Sequence, residues 1–459
     1  MLFPRDFTWG VASSAYQIEG ATKEHGRSPS VWDTFDAVPG NVFENHTGAV
    51  ACDHVHHLEE DLDLIAGLGV GAYRFSISWP RVMPAGTDAP SNAGLDFYDR
   101  LVDGLIARGI QPFATLYHWD HPQSLQDRGG WLNRDIADWF AEYAAAVVDR
   151  LSDRVTRWMT LNEPQIFIGH GLIDGTHAPG LTLSRKESLQ AAHHALLAHG
   201  KAVDAIRAHA RKTPSIGWAP VGDTVFPADD RPESIEAARA LTFTIRNPQG
   251  NWAFCNTWFA DPIIFGNYPE DGLQLFGQDA PLIEAGDMEQ ISRPIDFYGL
   301  NIYSGVPAHM TNRGPEVLDF APGNPRTQFN WPVTPQALYW GPRFIYERYK
   351  TPLYITENGL ASMDWVHRDN SVPDPGRIDY TARYLAELRR AIDDGVDVRG
   401  YFHWSILDNF EWAEGYRMRF GLIHVDYQTL KRTPKHSYYW YRQVIASNGS
   451  ELEALEPTA

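Results

Sequence analysis

The amino-acid sequence predicts an α/β fold: a single (β/α)8 TIM barrel over residues 1–459, with long βα loops over the C-terminal face. Three observations carry this expectation. Eight short, mainly apolar segments alternate with stretches whose apolar residues recur at helical spacing, and such alternation implies right-handed crossovers and a parallel sheet. The length of 459 residues exceeds an ordinary domain, yet α/β barrels commonly run well past that size as one unit. No linker, low-complexity tract or internal repeat divides the chain.

Phe7 to Ala12 opens as a strand. Val55, Leu58, Leu62, Ile65 and Leu68 then form the apolar stripe of a helix, and Tyr73 to Ser78 follows as a strand. Gly67, Gly69 and Gly71 between them superficially suggest a nucleotide loop, but they follow a helix and precede a strand. A pyrophosphate site needs the reverse order, so they read as a tight helix-to-strand turn. Residues 93 to 108 read as helix, Pro112 to Tyr117 as strand, 135 to 151 as helix, Trp158 to Leu161 as strand, 186 to 211 as helix and Ser215 to Ala219 as strand. The stretch 220 to 296 carries mixed helix and loop signals. Phe297 to Ile302 resumes as a strand, and the segment 305 to 335, rich in Pro, Gly and Asn, reads as a long loop over the active face. A helix at 336 to 349, a strand Leu353 to Thr356, a helix at 378 to 393, a strand Gly400 to Trp404 and a helix at about 435 to 446 complete the chain.

Composition is that of an ordinary soluble globule. No N-terminal targeting pattern appears, no apolar run approaches the roughly 18 residues of a membrane span, and the expected compartment is the cytoplasm. Cys52 and Cys255 are too few for a disulfide framework or thiolate metal site and read as buried free thiols. A net charge of −19 argues against nucleic acid, whose binding needs clustered Lys and Arg; a neutral small-molecule substrate fits better. Sixteen tryptophans include several near strand ends, where an indole face can cover the apolar side of a sugar ring, although core filling is the plainer role for any one of them. His54, His56, His57, His118 and His121 lack the neighbouring Cys, Asp or Glu that would complete a ligand set, so neither a metal nor a cofactor is expected. Oligomeric state is left open.

The chemistry is carried by two glutamates. Glu163 closes the run Trp158-Met159-Thr160-Leu161-Asn162 and precedes Pro164; Glu357 closes Leu353-Tyr354-Ile355-Thr356 and precedes Asn358 and Gly359. Apolar runs stopped by Pro or Gly read as buried parallel strands, so each carboxylate projects from a strand's C-terminal end, the face where barrels collect their chemistry. Paired carboxyl groups across one pocket are what glycoside cleavage needs. Taken alone, Asn162-Glu163-Pro164 is weak evidence, since a Glu before Pro is an ordinary extended or turn residue.

Ordered motifs extend over nearly the whole chain: Phe7, Trp9, Gly10, Ala12, Ser14, Tyr16, Gln17, Glu19 and Gly20; Tyr73 to Arg81; Tyr117, His118, Trp119 and Asp120; the two glutamate segments; and Trp404, Ser405, Leu407, Asp408, Asn409, Phe410, Glu411 and Trp412. Together they resemble glycoside hydrolase family 1. The resemblance implies a (β/α)8 barrel and a retaining β-glycosidase with Glu357 as nucleophile and Glu163 as acid/base, which requires carboxyl groups about 5 to 5.5 Å apart. It implies that Arg74 and Tyr303 hold Glu357 ionised, that Gln17, His118, Asn162, Glu411 and Trp412, with Trp119 beside them, meet the hydroxyls of the nonreducing sugar, that Trp404 lies beneath its ring, and that Trp331 is the platform on the leaving-group side. Phospho-sugar members carry Ser in place of Glu411 and myrosinase-like members lose the acid/base; this chain keeps Glu411 and Glu163. It departs from the common pattern at His121 and His170, both expected to reshape the pocket rim.

The implied substrates are small β-glycosides and short oligosaccharides with a terminal β-glucosyl, β-fucosyl or β-galactosyl residue, without phosphate. A carbohydrate-binding barrel without catalysis would tolerate loss of either glutamate, and both are present. A transglycosidase would share every residue named, so the sequence does not separate it from a hydrolase.

Overall fold

The computed structural model describes residues 2–450 and Leu452. Eight parallel strands form its centre: β1 (Thr8–Ala12), β2 (Ala72–Ser76), β3 (Gln111–Tyr117), β4 (Arg157–Asn162), β5 (Ser215–Ala219), β6 (Tyr298–Asn301), β7 (Leu353–Asn358) and β8 (Val398–Trp404). Each follows the sequence expectation within a few residues. Their order in the sheet is β5-β4-β3-β2-β1-β8-β7-β6, and the open ends meet where Asp296 N–H donates to Ile216 O at 2.7 Å and Asn301 N–H to Pro220 O at 3.0 Å. A ring of strands leaves no exposed edge.

The lumen is filled by Ala12, Ala72, Phe113, Met159, Ala219, Phe297, Tyr354 and Phe402, one residue from each strand or its immediate start. Three small side chains beside four aromatic rings let the layer interdigitate. Outside the ring lie the helices Leu58–Leu68, Asn92–Ala107, Ile136–Leu151, Arg185–His209, Ala337–Tyr349, Pro375–Asp393 and His436–Ala446. Ser184 and Glu187 form a reciprocal capping box at the start of Arg185–His209, satisfying two otherwise orphaned N–H groups. Gly69 ends Leu58–Leu68 in the left-handed conformation with φ of 79°, the tight turn that the glycine spacing announces.

Two segments differ from expectation or add to it. The stretch 305 to 335 is not loop throughout: Val306–Thr311 and Gly314–Val317 form a hairpin, with Val225–Pro227 alongside as a third strand. Pro307, Gly314 and Pro315 interrupt the alternation that marks a strand; Pro315 sits on an edge strand, where proline is tolerated, and Pro307 at the second position of the central one. The mixed stretch 220 to 296 resolves into the helices Pro232–Thr242, Thr257–Phe265, Glu270–Phe276 and Asp287–Ile291.

A buried ionic network ties the loops after β7 and β8 to the last helix. Lys435 Nζ donates to Asp364 Oδ2 at 2.6 Å and Asp408 Oδ1 at 2.7 Å. Arg377 grips Asp364 and Asp374, and Arg419 grips Asp408. Three cations face three anions, so the desolvation that would expel a lone charge is offset by partners. Farther along, Tyr441 O–H donates to Gly10 O at 3.0 Å and Trp9 Nε1–H to Asn448 Oδ1 at 3.0 Å.

Candidate active site

A cavity of about 370 Å3 opens among the loops at the C-terminal ends of the strands, and both Glu163 and Glu357 line it. A larger groove of about 840 Å3, bounded by Met83, Trp139 and Arg150, lies on the outer flank. Its two arginines are already engaged, Arg150 with Asp96 and Asp99 and Arg128 over the Trp139 ring. Convergent polar groups inside an aromatic cleft mark the smaller cavity as the site.

Glu163 stands immediately beyond β4, where the pairing with β5 slips register between Met159 and Asn162. Its backbone is left-handed, φ 43° and ψ 67°, and it starts the helix Pro164–Ile168. An ordinary side chain held in that region is strained and persists only when its surroundings impose it; here Glu163 N–H is pinned to Ala219 O at 2.8 Å. Trp119 and Trp412 are also left-handed, so three strained residues share one cavity wall.

Glu357 lies inside β7, across another register shift against β6. Arg74, 1 % exposed within the barrel, donates from Nη1 to Glu357 Oε1 at 2.5 Å and to Thr356 O at 3.0 Å. Tyr303 O–H donates to Glu357 Oε2 at 2.7 Å. The two glutamates are joined through Asn162 and Asn301. Asn162 Oδ1 accepts from Arg74 Nη2 at 2.6 Å and from Asn301 Nδ2 at 3.1 Å, and the same Asn301 nitrogen donates to Glu163 Oε1 at 2.7 Å. Thr356 O–H fixes the Asn301 amide by donating to its Oδ1 at 2.7 Å.

Those bonds also settle a tautomer. With Asn162 Oδ1 occupied by two donors, its Nδ2 must donate to His118 Nε2, 3.1 Å away. The His118 proton therefore sits on Nδ1.

Electrostatics separate the two carboxyl groups. Burial and then the charge of Glu357 push Glu163 well above the ordinary carboxylate range, with Asn301 and Arg74 pulling the other way. Burial raises Glu357 as well, but Arg74, Tyr303 and Asn301 all favour its ionised form. A guanidinium in direct contact and a phenol donor make Glu357 the more acidic of the pair. Glu411 is raised well above its usual value by burial and then by Glu357 and Glu163. His118 is kept neutral by burial and the nearby Arg74.

The cavity brings together most of the residues singled out in the sequence: His118, Trp119, Tyr303, Trp331, Trp404, Glu411 and Trp412 line it with the two glutamates. Gln17 and Asn162 are buried behind that lining. Gln17 Nε2 is occupied by Asn409 Oδ1, Phe410 O and Glu411 Oε2 at 3.0, 3.0 and 3.1 Å, and so orients Glu411. His121 is a correction: it is buried away from the cavity, bonded to Tyr117 O–H and Gln126 Oε1, because the turn after Trp119 carries it back into the protein. His170 does line the cavity.

Sequence reasoning missed Asn301 and the aromatic residues Phe329 and Phe420. Phe329 stacks on Trp331 with centroids 4.5 Å apart, and both face Phe420. Asn301 stands at the C-terminal end of a strand, which was the available signal; Phe329 lies two residues before Trp331 in a loop without period.

Among the described residues no group of three or more His, Cys, Asp or Glu is arranged to hold a metal ion. His54 is bonded to Asp61, and His57 to Glu60. No helix among them is long and apolar enough to cross a membrane.

Comparison with known proteins gives one consistent answer. The pattern that defines glycosyl hydrolase family 1 matches residues 1–450. The chain is 44% identical to beta-glucosidase A of Thermotoga maritima over 98% of its own length and 99% of that protein's. It is likewise 44% identical to a 1,4-beta-D-glucan glucohydrolase of Thermotoga neapolitana, covering 97% of this chain and 99% of that one. Among solved structures, the beta-glucosidase from Thermotoga maritima in complex with glucoimidazole superposes with a TM-score of 0.89 at 43% identity, over 98% of this chain and 99% of that one.

Proposed function

The chain belongs to glycosyl hydrolase family 1, and from that premise we propose that it is a β-glucosidase acting with retention of configuration. One observation carries the assignment of roles: two buried glutamates share a cavity, and only Glu357 is held by Arg74 and Tyr303.

Glu357, as carboxylate, attacks the anomeric carbon while Glu163, as acid, protonates the departing glycosidic oxygen; the carbon–oxygen bond to the aglycone breaks and a glycosyl ester forms. Forming the ester removes the Glu357 charge that had raised Glu163, so Glu163 becomes more acidic and can take a proton from water. Water then attacks the anomeric carbon, the ester breaks, and both carboxyl groups return to their starting states. Neutral His118, Glu411 and Trp412 would meet sugar hydroxyls from the cavity lining; Trp404 would lie beneath the ring; Trp331 with Phe329 would carry the leaving group.

The substrates are terminal, nonreducing β-glucosyl residues of unphosphorylated glycosides and short cello-oligosaccharides, with β-fucosides and β-galactosides secondary. Supporting this, a phosphate dianion would enter a cavity that holds the Glu357 carboxylate and has no Lys or Arg among the described residues that line it, so it would meet repulsion without a counter-charge. The chain acts as one domain, and its two buried thiols suit the reducing cytosol. A panel of nitrophenyl β-glycosides, cellobiose and a 6-phosphoglucoside tests the reading: turnover of the phosphorylated substrate alone would overturn it.

A further inference from the structure

The cavity mouth has one wall that the proposed mechanism leaves unused. The helix that starts at Glu163 runs into a wider turn, Gly169–Ile173, which places His170 seven positions after the acid/base, about 10 Å along at helical rise. His170 lines the same cavity with its side chain 34% exposed. Trp331 lines it too, so a leaving group would have an aromatic platform and His170 both within reach.

The imidazole is oriented by a fixed partner. Its Nδ1 faces Asp174 Oδ2 at 3.2 Å, and that carboxylate is itself fixed by Asn251 Nδ2 at 2.7 Å. A carboxylate only accepts, so Nδ1 carries a proton, and in the neutral imidazole Nε2 is the nitrogen that keeps a lone pair. The ring packs between His177 and Phe254, with centroids 5.1 and 5.0 Å away. The backbone beneath is equally constrained: a Cβ at Gly171 would lie 2.6 Å from Ala178 O. Thr176 and His177 continue the polar wall.

We propose that His170 is a specificity-determining residue whose Nε2 accepts a hydrogen bond from a hydroxyl of a saccharide leaving group, favouring β-glucosides of sugars over β-glucosides of aryl alcohols. This rests on the β-glucosidase reading. An aryl leaving group can use Trp331 and Phe329 but offers His170 no donor, so the histidine discriminates by what the leaving group lacks.

The test compares kcat/KM on cellobiose and on 4-nitrophenyl β-glucoside for the full-length protein, His170→Phe and His170→Gln. Phe keeps a ring against Phe254 and His177 but has no acceptor; Gln restores an acceptor. The expected result is a loss of about tenfold on cellobiose for His170→Phe, the scale of one hydrogen bond, with the aryl glucoside within about twofold and part of the loss recovered by His170→Gln. Equal losses on both substrates, or none, would overturn the role of His170 while leaving the β-glucosidase reading intact. Failure of the unaltered protein on both substrates would overturn that reading, and this role with it.

Discussion

Asn301 donates a 2.7 Å hydrogen bond to Glu163 from the end of β6, the strand next to β7, where it stands in register with Glu357. That amide favours the ionised form of both glutamates. Asn301→Ala should therefore move both limbs of the pH profile of kcat/KM to higher pH, and lower its maximum by about 10- to 100-fold, the scale of a hydrogen bond to a charged group. A pH profile on an aryl glucoside checks this; unchanged limbs would show that Asn301 only supports packing.

Arg74 bonds Glu357, Asn162, Thr356 O and Thr115 at once. Lysine keeps the charge but not the planar fork, so Arg74→Lys should leave Glu357 with a weaker counter-charge and a higher pKa. The acid limb then shifts to higher pH and kcat falls by roughly 100-fold or more, the scale seen when a preorganised electrostatic contact is lost. Steady-state kinetics between pH 4 and 8 measure both effects.

Covalent trapping addresses the assignment of roles. A 2-fluoro β-glucoside should add one sugar mass to a peptide containing Glu357, and labelling elsewhere rejects that nucleophile. Glu163→Ala should slow glycosides with poor leaving groups far more than activated aryl glycosides, which need little proton assistance.

Asp36 supplies a pH dependence outside the chemistry. It accepts from Tyr16 O–H at 2.7 Å and Gly48 N–H at 2.8 Å, both on Oδ2, and burial raises its pKa from 3.8 to about 6. A carboxyl group raised in the fold adds stability that is complete below its unfolded pKa and is lost as pH rises through about 6. Asn can accept both bonds on one oxygen and carries no charge. Asp36→Asn should thus be stabilised relative to the parent by on the order of 1 kcal/mol at pH 7.5, with little difference at pH 4.5. Thermal denaturation at the two pH values decides it.

The strands were legible because a parallel barrel buries both faces of each one, leaving short apolar runs such as Trp158 to Leu161 that no surface element imitates. The glutamates were legible because each interrupts such a run with a charge. Less visible was anything created by the barrel's closure. Asn301 looks like an ordinary strand terminator until β6 and β4 are brought near one another. Gln17 was assigned to the sugar by resemblance alone, and what the sequence could not show is that its amide nitrogen also holds Glu411, Asn409 and Phe410 O together. His121 follows the same strand as His118, but a left-handed Trp119 turns the chain between them. The hairpin over 306 to 317 was hidden by its prolines and glycine.

Lys435 neutralises Asp364 and Asp408 from beyond the eighth strand, and Asn448 ties back to Phe3 and Trp9. During synthesis the ribosome releases this lysine last among the network's members, well after both catalytic glutamates have left the exit tunnel. A nascent chain halted before residue 435 would carry two aspartates with too few counter-ions beneath the loop that presents Glu411 and Trp412. Completion of this charge balance beneath the active-site loop therefore waits for residue 435, whatever the state of the two glutamates.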